Sequence, residues 1–416
     1  MVFNPATSSL EPLRLAGLPV LQIIIEKFAP LDDPDYEGHS LLEQYQAQLG
    51  AALRPAFTPE SSAAVIAAGC NVCAKYVTSG VMTEPSDLNR MLRLLLTALD
   101  RALSTDPAST DSKHERTSLE LASLAAWATV VLASSKKAYL KDVVAPHLDR
   151  LSERWLLALV EYAKVKLPAD ILAALDSHSD PAQLQFLVAK RAILLPAYES
   201  AAGPILGALA SLSPAKLGLL LGSYRSANTA ANTPSPSLVL LSLTYETLYN
   251  AVRDVDAAAT ALAALTVLLN KEAIGPAFIE QAHFTELIGQ LNRLIQIDFA
   301  RFARPVLRLL VQIVEDFSEY LFNEADLLPT AALVEKRYFQ LSRLLLDLCT
   351  RALPLSAAPA ATTTAGPTDD LALAVSGLEG FAALVKHTPS VYVNDIAAVY
   401  FGLFHSTSFE LLVHLH

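Results

Sequence analysis

Apolar residues in this chain recur three and four positions apart almost everywhere, a spacing that restricts it to helices each burying one side. Leu88, Met91, Leu92, Leu95, Leu96 and Leu99 form one such stripe. Leu307, Leu310, Val311, Val314, Phe317 and Leu321 form a second, and Leu341, Leu344, Leu345 and Leu348 a third. No run of alternating, β-branched residues bounded by hairpin turns accompanies them. The fold class is therefore all-α. Hydrophobic residues make up 52% of the chain and charged residues 18%, a balance suited to helices covered by neighbours on two sides.

Proline after a small or polar residue marks expected helix starts at Thr58-Pro59, Asp180-Pro181, Ser213-Pro214, Gly275-Pro276 and Thr388-Pro389. The first residue can cap free amides, and proline in the first turn loses no hydrogen bond. Asp180 with Gln183 adds a capping-box pattern. These signals imply roughly sixteen to eighteen helices of about 12 to 25 residues joined by short turns. A chain of 416 residues exceeds what one core supports, and consecutive helix hairpins bury their faces by stacking side by side. The expected architecture is an elongated HEAT- or armadillo-like α-solenoid of antiparallel hairpins, about eight units at about 40 to 47 residues each. No strict internal sequence period is visible. Residues 100–118, 225–237 and 354–370, rich in Ser, Thr, Pro and Ala, read as loops. They divide the chain into helical segments 1–104, 105–224 and 238–353, with terminal helices in 371–416.

The formal charge of -11 argues against nucleic acid, which needs a basic stripe, and against electrostatic attachment to anionic lipid. The apolar runs Ala257 to Leu269 and Leu121 to Ala133 are 13 residues each, which reads as buried core rather than membrane span. The opening residues have neither a basic n-region nor an apolar h-region, so no secretory signal is expected. Three cysteines suit a reducing compartment.

Phosphate loops, dinucleotide turns, nucleophile elbows and HExxH zinc helices are absent from the sequence. Cys70 and Cys73 have the spacing of half a zinc site, but Cys349 is far away and two buried thiols are the better reading. Asp33, Asp35, Glu37 and Gly38 imitate the start of a calcium loop, yet the twelfth position is Gln44, so an acidic solvated loop is expected. Glu280 and His283 make half of a di-iron pattern with no second copy, and His405, His414 and His416 suggest a terminal helix rather than a ligand set. No catalytic, cofactor-binding or metal-binding residue is assigned, and no cofactor is expected. One charge pattern stands out: Arg301, Arg304 and Arg308 share a helical face beside Phe299 and Phe302, followed by Glu315, Asp316 and Glu319. Such ridges line solenoid surfaces that grip acidic peptides, so these arginines are the candidate partner-binding face.

Several segments are distinctive: LRLAGL (13–18), IIIEKFA (23–29), GHSLLEQYQAQLGAALRPAF (38–57), AGCNVCAKYVTSGV (68–81) and DLNRMLRLLL (87–96). Fainter echoes follow at 121–130, 155–170 and 197–210. Together they resemble the HEAT-repeat-containing protein 5 family, large accessory proteins of clathrin adaptors, in its carboxyl-terminal portion. In the block at 38–57, Leu41, Leu42, Tyr45, Leu49 and Leu53 fit one packing stripe. The resemblance implies a non-enzymatic HEAT scaffold and protein partners, namely the clathrin adaptor complex and its accessory proteins. It further implies a cytoplasmic, peripheral location on trans-Golgi and endosomal vesicles, and a role in adaptor localisation and endosome-to-Golgi retrograde transport. A HEAT scaffold of another assembly, of nuclear-transport or phosphatase type, fits the helical pattern equally.

Overall fold

The computed structural model describes residues 3–104, 112–166, 181–227, 235–273, 281–321, 337–352 and 367–388, and every structural statement below is made of these. Apart from the isolated bridge between Asp32 and Ser40, their regular structure is helical, as the apolar spacing requires. The chain divides into two compact units, Met1–Leu212 with Ser223–Leu240, and Ser213–Gly222 with Leu241–His416.

The first unit contains α1 (Phe3–Ala6), α2 (Glu11–Phe28), α3 (Gln46–Leu53), α4 (Ala63–Ser79), α5 (Pro85–Leu103) and α6 (Lys113–Ser134). It continues with α7 (Ala138–Val144), α8 (Leu148–Lys166) and α9 (Pro181–Ala210). Helix α2 packs on α4, α4 on α6, and α6 on α9. The partners reveal the register. Ser62, the N-cap of α4, donates to Glu11 at the start of α2, 51 residues away, and Lys75 pairs with Glu26 at its end, 3.0 Å apart. Both members of each pair advance together, so α2 and α4 run parallel. The Cys70 thiol in α4 then meets the Ser123 hydroxyl in α6, 53 residues on. A spacing of about one helix hairpin between touching helices is what a stacked repeat requires. The repeat is thus legible in contact separations although not in the letters, because stacking demands complementary shape rather than identical side chains.

The other helices close the layer from the side. Helix α5 packs on α4 and α6, and α8 packs on α6 and α9. Trp155 of α8 is fully buried and donates its indole N–H to the Leu124 carbonyl of α6 at 3.0 Å. Tyr162 of α8 stacks on Tyr198 of α9 with ring centroids 5.8 Å apart.

Helices α10 (Pro214–Ala227) and α11 (Pro236–Tyr249) contribute residues to both units. The second unit also holds α12 (Val255–Leu268), α13 (Gln281–Ile297), α14 (Phe299–Leu321), α15 (Arg337–Ala352) and α16 (Pro367–His387). The same logic returns: α12 packs on α14 and α14 on α16, with α13 and α15 alongside. Asp256 pairs with Arg301 across 45 residues, and Gln312 donates to the Thr266 carbonyl across 46, so α12 and α14 are again parallel. Gly218 of α10 admits the chain after α12, since a Cβ there would collide with the Glu272 carbonyl.

The three apolar stripes are buried almost throughout; Leu96 and Val311 stand at their edges, half-buried. Proline does open α9 and α10, at Pro181 and Pro214. Thr58-Pro59 does not open a helix. It forms a turn in which the Ser61 amide donates to the Thr58 carbonyl, and α4 starts at Ala63, where Ser62 accepts from the Val65 amide. Gly275-Pro276, Asp180 and Pro389 lie outside the described residues. The loop expected over 100–118 is too long. Leu103 closes α5, and α6 begins at Lys113 behind a full capping box in which Ser112 and Glu115 bond each other's amides. The serine-rich composition there masks a cap, not only a loop. Helix lengths also spread beyond expectation, from 4 residues in α1 to 30 in α9.

Two helices, Lys113–Ser134 and Arg191–Ala210, are long and apolar enough to cross a membrane by length and composition, contrary to the reading from 13-residue runs. About half of each apolar window is buried against protein. Helix α6 is enclosed by α4, α5, α8 and α9, which accounts for its apolarity.

The end of α4 shows how one repeat caps the previous one. Gly80 ends the helix at φ +93°, a conformation glycine adopts without strain. Beside it, the Lys137 ammonium donates to the Thr78 carbonyl and the Tyr139 hydroxyl to the Val77 carbonyl. Cation and hydroxyl satisfy carbonyls at the negative end of the helix dipole. Lys137→Met is expected to lower the unfolding free energy by about 1 kcal/mol, read as a shifted urea midpoint with unchanged slope. An unchanged midpoint would show that this cap contributes nothing.

Candidate partner-binding face

Helix α14 carries the three arginines singled out from sequence. Asp298 caps it, accepting from the Arg301 amide at 3.1 Å, and the buried side is Phe302, Val306, Leu307, Leu310 and Val314. Positions 301, 304, 305, 308, 312 and 315 consequently share the outward side, as the helical period demands up to the kink at Phe317. Arg301 and Arg308 are exposed and Arg304 is half-buried.

The structure separates the three. Arg301 is engaged, its guanidinium on the Asp256 carboxylate of α12. Farther along, Gln312 holds the Thr266 carbonyl at 2.9 Å and Lys271 approaches Asp316 at 3.9 Å. These contacts form a ladder between α12 and α14, and Arg304 and Arg308 lie between its rungs with no carboxylate partner among the described residues. The Nε of Arg304 is buried and unpartnered. Of the acidic residues that follow, Glu315 and Glu319 are exposed, whereas Asp316 is only 15% exposed and belongs to the ladder. Elsewhere in the unit Arg351 lies over Phe299 and Arg293 over Tyr249, each 4.4 Å from the ring centre, so those cations are held by aromatic faces.

The metal-like patterns resolve into packing. Cys70 faces Ser123 at 3.6 Å while Cys73 donates to the Met91 carbonyl at 3.6 Å, so the two sulfurs point to different helices. Burial pushes the Cys70 thiol up to about 12 and Cys73 well above its ordinary range. The acidic loop is solvated at Asp35 and Glu37, as expected, but not at Asp33. Asp33 is buried, accepting from the Asp35 amide at 2.9 Å and from Gln44 at 3.4 Å, and its own amide donates to the His39 carbonyl at 2.8 Å. It organises a turn in which Gly38 sits at φ +84°. Glu280, His405, His414 and His416 lie outside the described residues.

In the block at 38–57, Leu42, Leu49 and Leu53 are buried as expected, but Tyr45 is 41% exposed. A 3-10 turn at Glu43–Tyr45 precedes α3 and shifts the phase of the stripe, carrying Tyr45 outward. One apolar facet escaped the sequence reading: Leu13, Val20 and Ile23 on α2 are 47%, 48% and 55% exposed. Its residues look like an ordinary core stripe in the sequence, so spacing alone gives no signal for it.

Against this geometry, residues 1–164 match the family model of the Laa1/Sip1/HEATR5 HEAT repeat region. Over these residues the chain is similar to the HEAT repeat region of that family. The chain is similar to the AP-1 accessory protein LAA1 of Saccharomyces cerevisiae, 31% identical over 172 residues, which are 39% of this chain and 8% of LAA1. It is also similar to the protein SWEETIE of Arabidopsis thaliana, 36% identical over 96 residues, 23% of this chain and 4% of that one. The chain therefore matches only a small part of the length of these relatives. No solved structure matches it. The matched segment falls within the first unit and takes in the blocks at 13–18 through 121–130, while the faint echo at 197–210 lies beyond it. A HEAT repeat region of this family is a scaffold and not an enzyme, in agreement with the reading from sequence. The face on α14 lies outside the matched residues.

Proposed function

We propose that the chain acts as a scaffold in clathrin-adaptor-dependent transport, an accessory to AP-1 that supports adaptor localisation and retrograde traffic from endosomes to the Golgi. The observation that carries this reading is the 31% identity over 172 residues to a protein named as an AP-1 accessory protein, alongside the match of residues 1–164 to the HEAT repeat region. On this reading the chain works on the cytoplasmic side of trans-Golgi and endosomal membranes and reaches them through proteins. The packing of α6 supports the last point, because about half of its apolar window is buried against neighbouring helices. The exposed facet of Leu13, Val20 and Ile23 offers apolar contact area of the kind protein recruitment uses.

Affinity purification of the tagged chain from cells, read by mass spectrometry, tests the proposal. Recovery of AP-1 subunits above a matched control is the expected result. Recovery of transport receptors or phosphatase subunits in their place would overturn it and favour a HEAT scaffold of another assembly.

A further inference from the structure

We propose that Arg304 and Arg308 form a docking point for an acidic peptide segment of a protein partner, one presenting two anionic groups about 6 Å apart. The spacing follows from the helix: four residues at about 1.5 Å rise each set the two guanidinium stems about 6 Å apart along one face. An extended Glu-x-Glu segment offers about the same separation between alternate side chains.

The chemistry around the pair is one-sided. At three and four positions either way, Arg304 has Ala300, Arg301, Leu307 and Arg308, and Arg308 has Arg304, Pro305, Val311 and Gln312. No carboxylate stands at any of them, so two like charges face each other at i and i+4, an arrangement that disfavours the isolated helix. The packed helix α12 does not compensate. Its Asp256 is engaged with Arg301, its Thr266 carbonyl receives Gln312, and Lys271 beyond its end is drawn to Asp316. Arg304 carries a further cost, a buried Nε without an acceptor. A carboxylate or phosphate from outside would accept from both guanidinium groups, and the planar fork of arginine favours such oxygens in bidentate fashion.

A protein segment fits better than a membrane. Stable attraction to anionic lipid takes clusters of about four to eight cations, whereas this site offers two on a chain of net charge -11. The inference goes beyond the AP-1 reading and stands without it, because the two arginines lie outside the family-matched residues.

The test uses the full chain and fluorescence anisotropy with two labelled probes, a six-residue peptide of alternating glutamate and alanine and its phosphoserine counterpart. Arg304→Glu with Arg308→Glu is expected to weaken binding by about ten-fold or more at low salt, and higher salt should weaken the wild type. Reversing two exposed lysines of the first unit, Lys136→Glu with Lys141→Glu, should change it by less than about two-fold. Circular dichroism checks that the variants keep their helices. Arg304→Gln with Arg308→Gln serves in case the reversal unfolds. The tighter probe identifies carboxylate or phosphate as the source of charge. Equal losses in both pairs of variants, no measurable binding by the wild type, or arginine-dependent binding to phosphatidylserine vesicles without binding to either peptide would each overturn the proposal.

Discussion

Replacing Trp155 with alanine is expected to lower the unfolding free energy by about 3–5 kcal/mol, the range for removing a large aromatic side chain from a packed interior. Trp155 is fully buried, and it joins α8 to α6 both by its ring and by the 3.0 Å hydrogen bond to the Leu124 carbonyl. That carbonyl lies inside a helix, so losing the indole donor matters less than the cavity left by the ring. Trp155→Phe, which keeps most of the volume, should therefore cost about 1–2 kcal/mol. Urea titration followed by circular dichroism measures both. Trp127, whose ring centroid lies 5.1 Å from that of His147, remains as the only fluorophore of its kind in either variant. Equal effects of the two substitutions would mean that the hydrogen bond, rather than the packing, dominates this contact.

The second large effect concerns the thiols. Burial holds Cys70 and Cys349 protonated up to about 12, against an ordinary value near 9.0, and likewise raises Cys73 well above that ordinary value. At pH 8 the thiolate of Cys70 should be about a thousand-fold rarer than in the unfolded chain, so a disulfide reagent should react correspondingly slowly with the native protein and rapidly in denaturant. Fast native labelling would contradict the burial described for these helices. The same shifts fix an alkaline limit. Because the folded thiols ionise later than the unfolded ones, stability is complete below about pH 9 and declines between about 9 and 12. There each buried thiol contributes a fall of about 1 kcal/mol per pH unit. Tyr76, whose pKa burial also raises, adds to the decline at the upper end of that window. Urea midpoints compared at pH 7.5 and 10.5 should drop, and Cys70→Ala with Cys73→Ala should flatten the difference. A wild-type midpoint independent of pH would rule out the linkage.

The helical class and most of the core were readable from spacing alone. Leu88, Met91, Leu92, Leu95 and Leu99 lie inside as their periodicity required. The exceptions have local causes. Tyr45 left its stripe because a 3-10 turn changes the rotation per residue, and apolar spacing does not announce that change. The start of α6 was hidden because Ser112 and Glu115 look like loop residues until their reciprocal hydrogen bonds are seen. Asp33 went from solvated to buried because four nearby groups bond to it, only one of them a side chain. The arginines of α14 were found from charge and period, but nothing in the sequence shows that Arg301 is consumed by a residue 45 positions earlier, which leaves two free cations rather than three. The sequence therefore marked the face and overstated its strength.

The modest chain separations between touching helices bear on how these units form. Tertiary bonds such as Arg14 to Pro55, Lys75 to Glu26, Cys70 to Ser123 and Tyr139 to Val77 close loops of 41, 49, 53 and 62 residues. Closure entropy grows only as the logarithm of loop length, so each of these steps faces nearly the same barrier however many repeats precede it. Folding then has no privileged starting point. A nucleus of two helices can arise at any hairpin and extend by adding neighbours, and opening in the native state should begin at the outermost helices of a unit and work inward. Short α1, at the edge of the first unit, should exchange its amide hydrogens sooner than α6 at its centre.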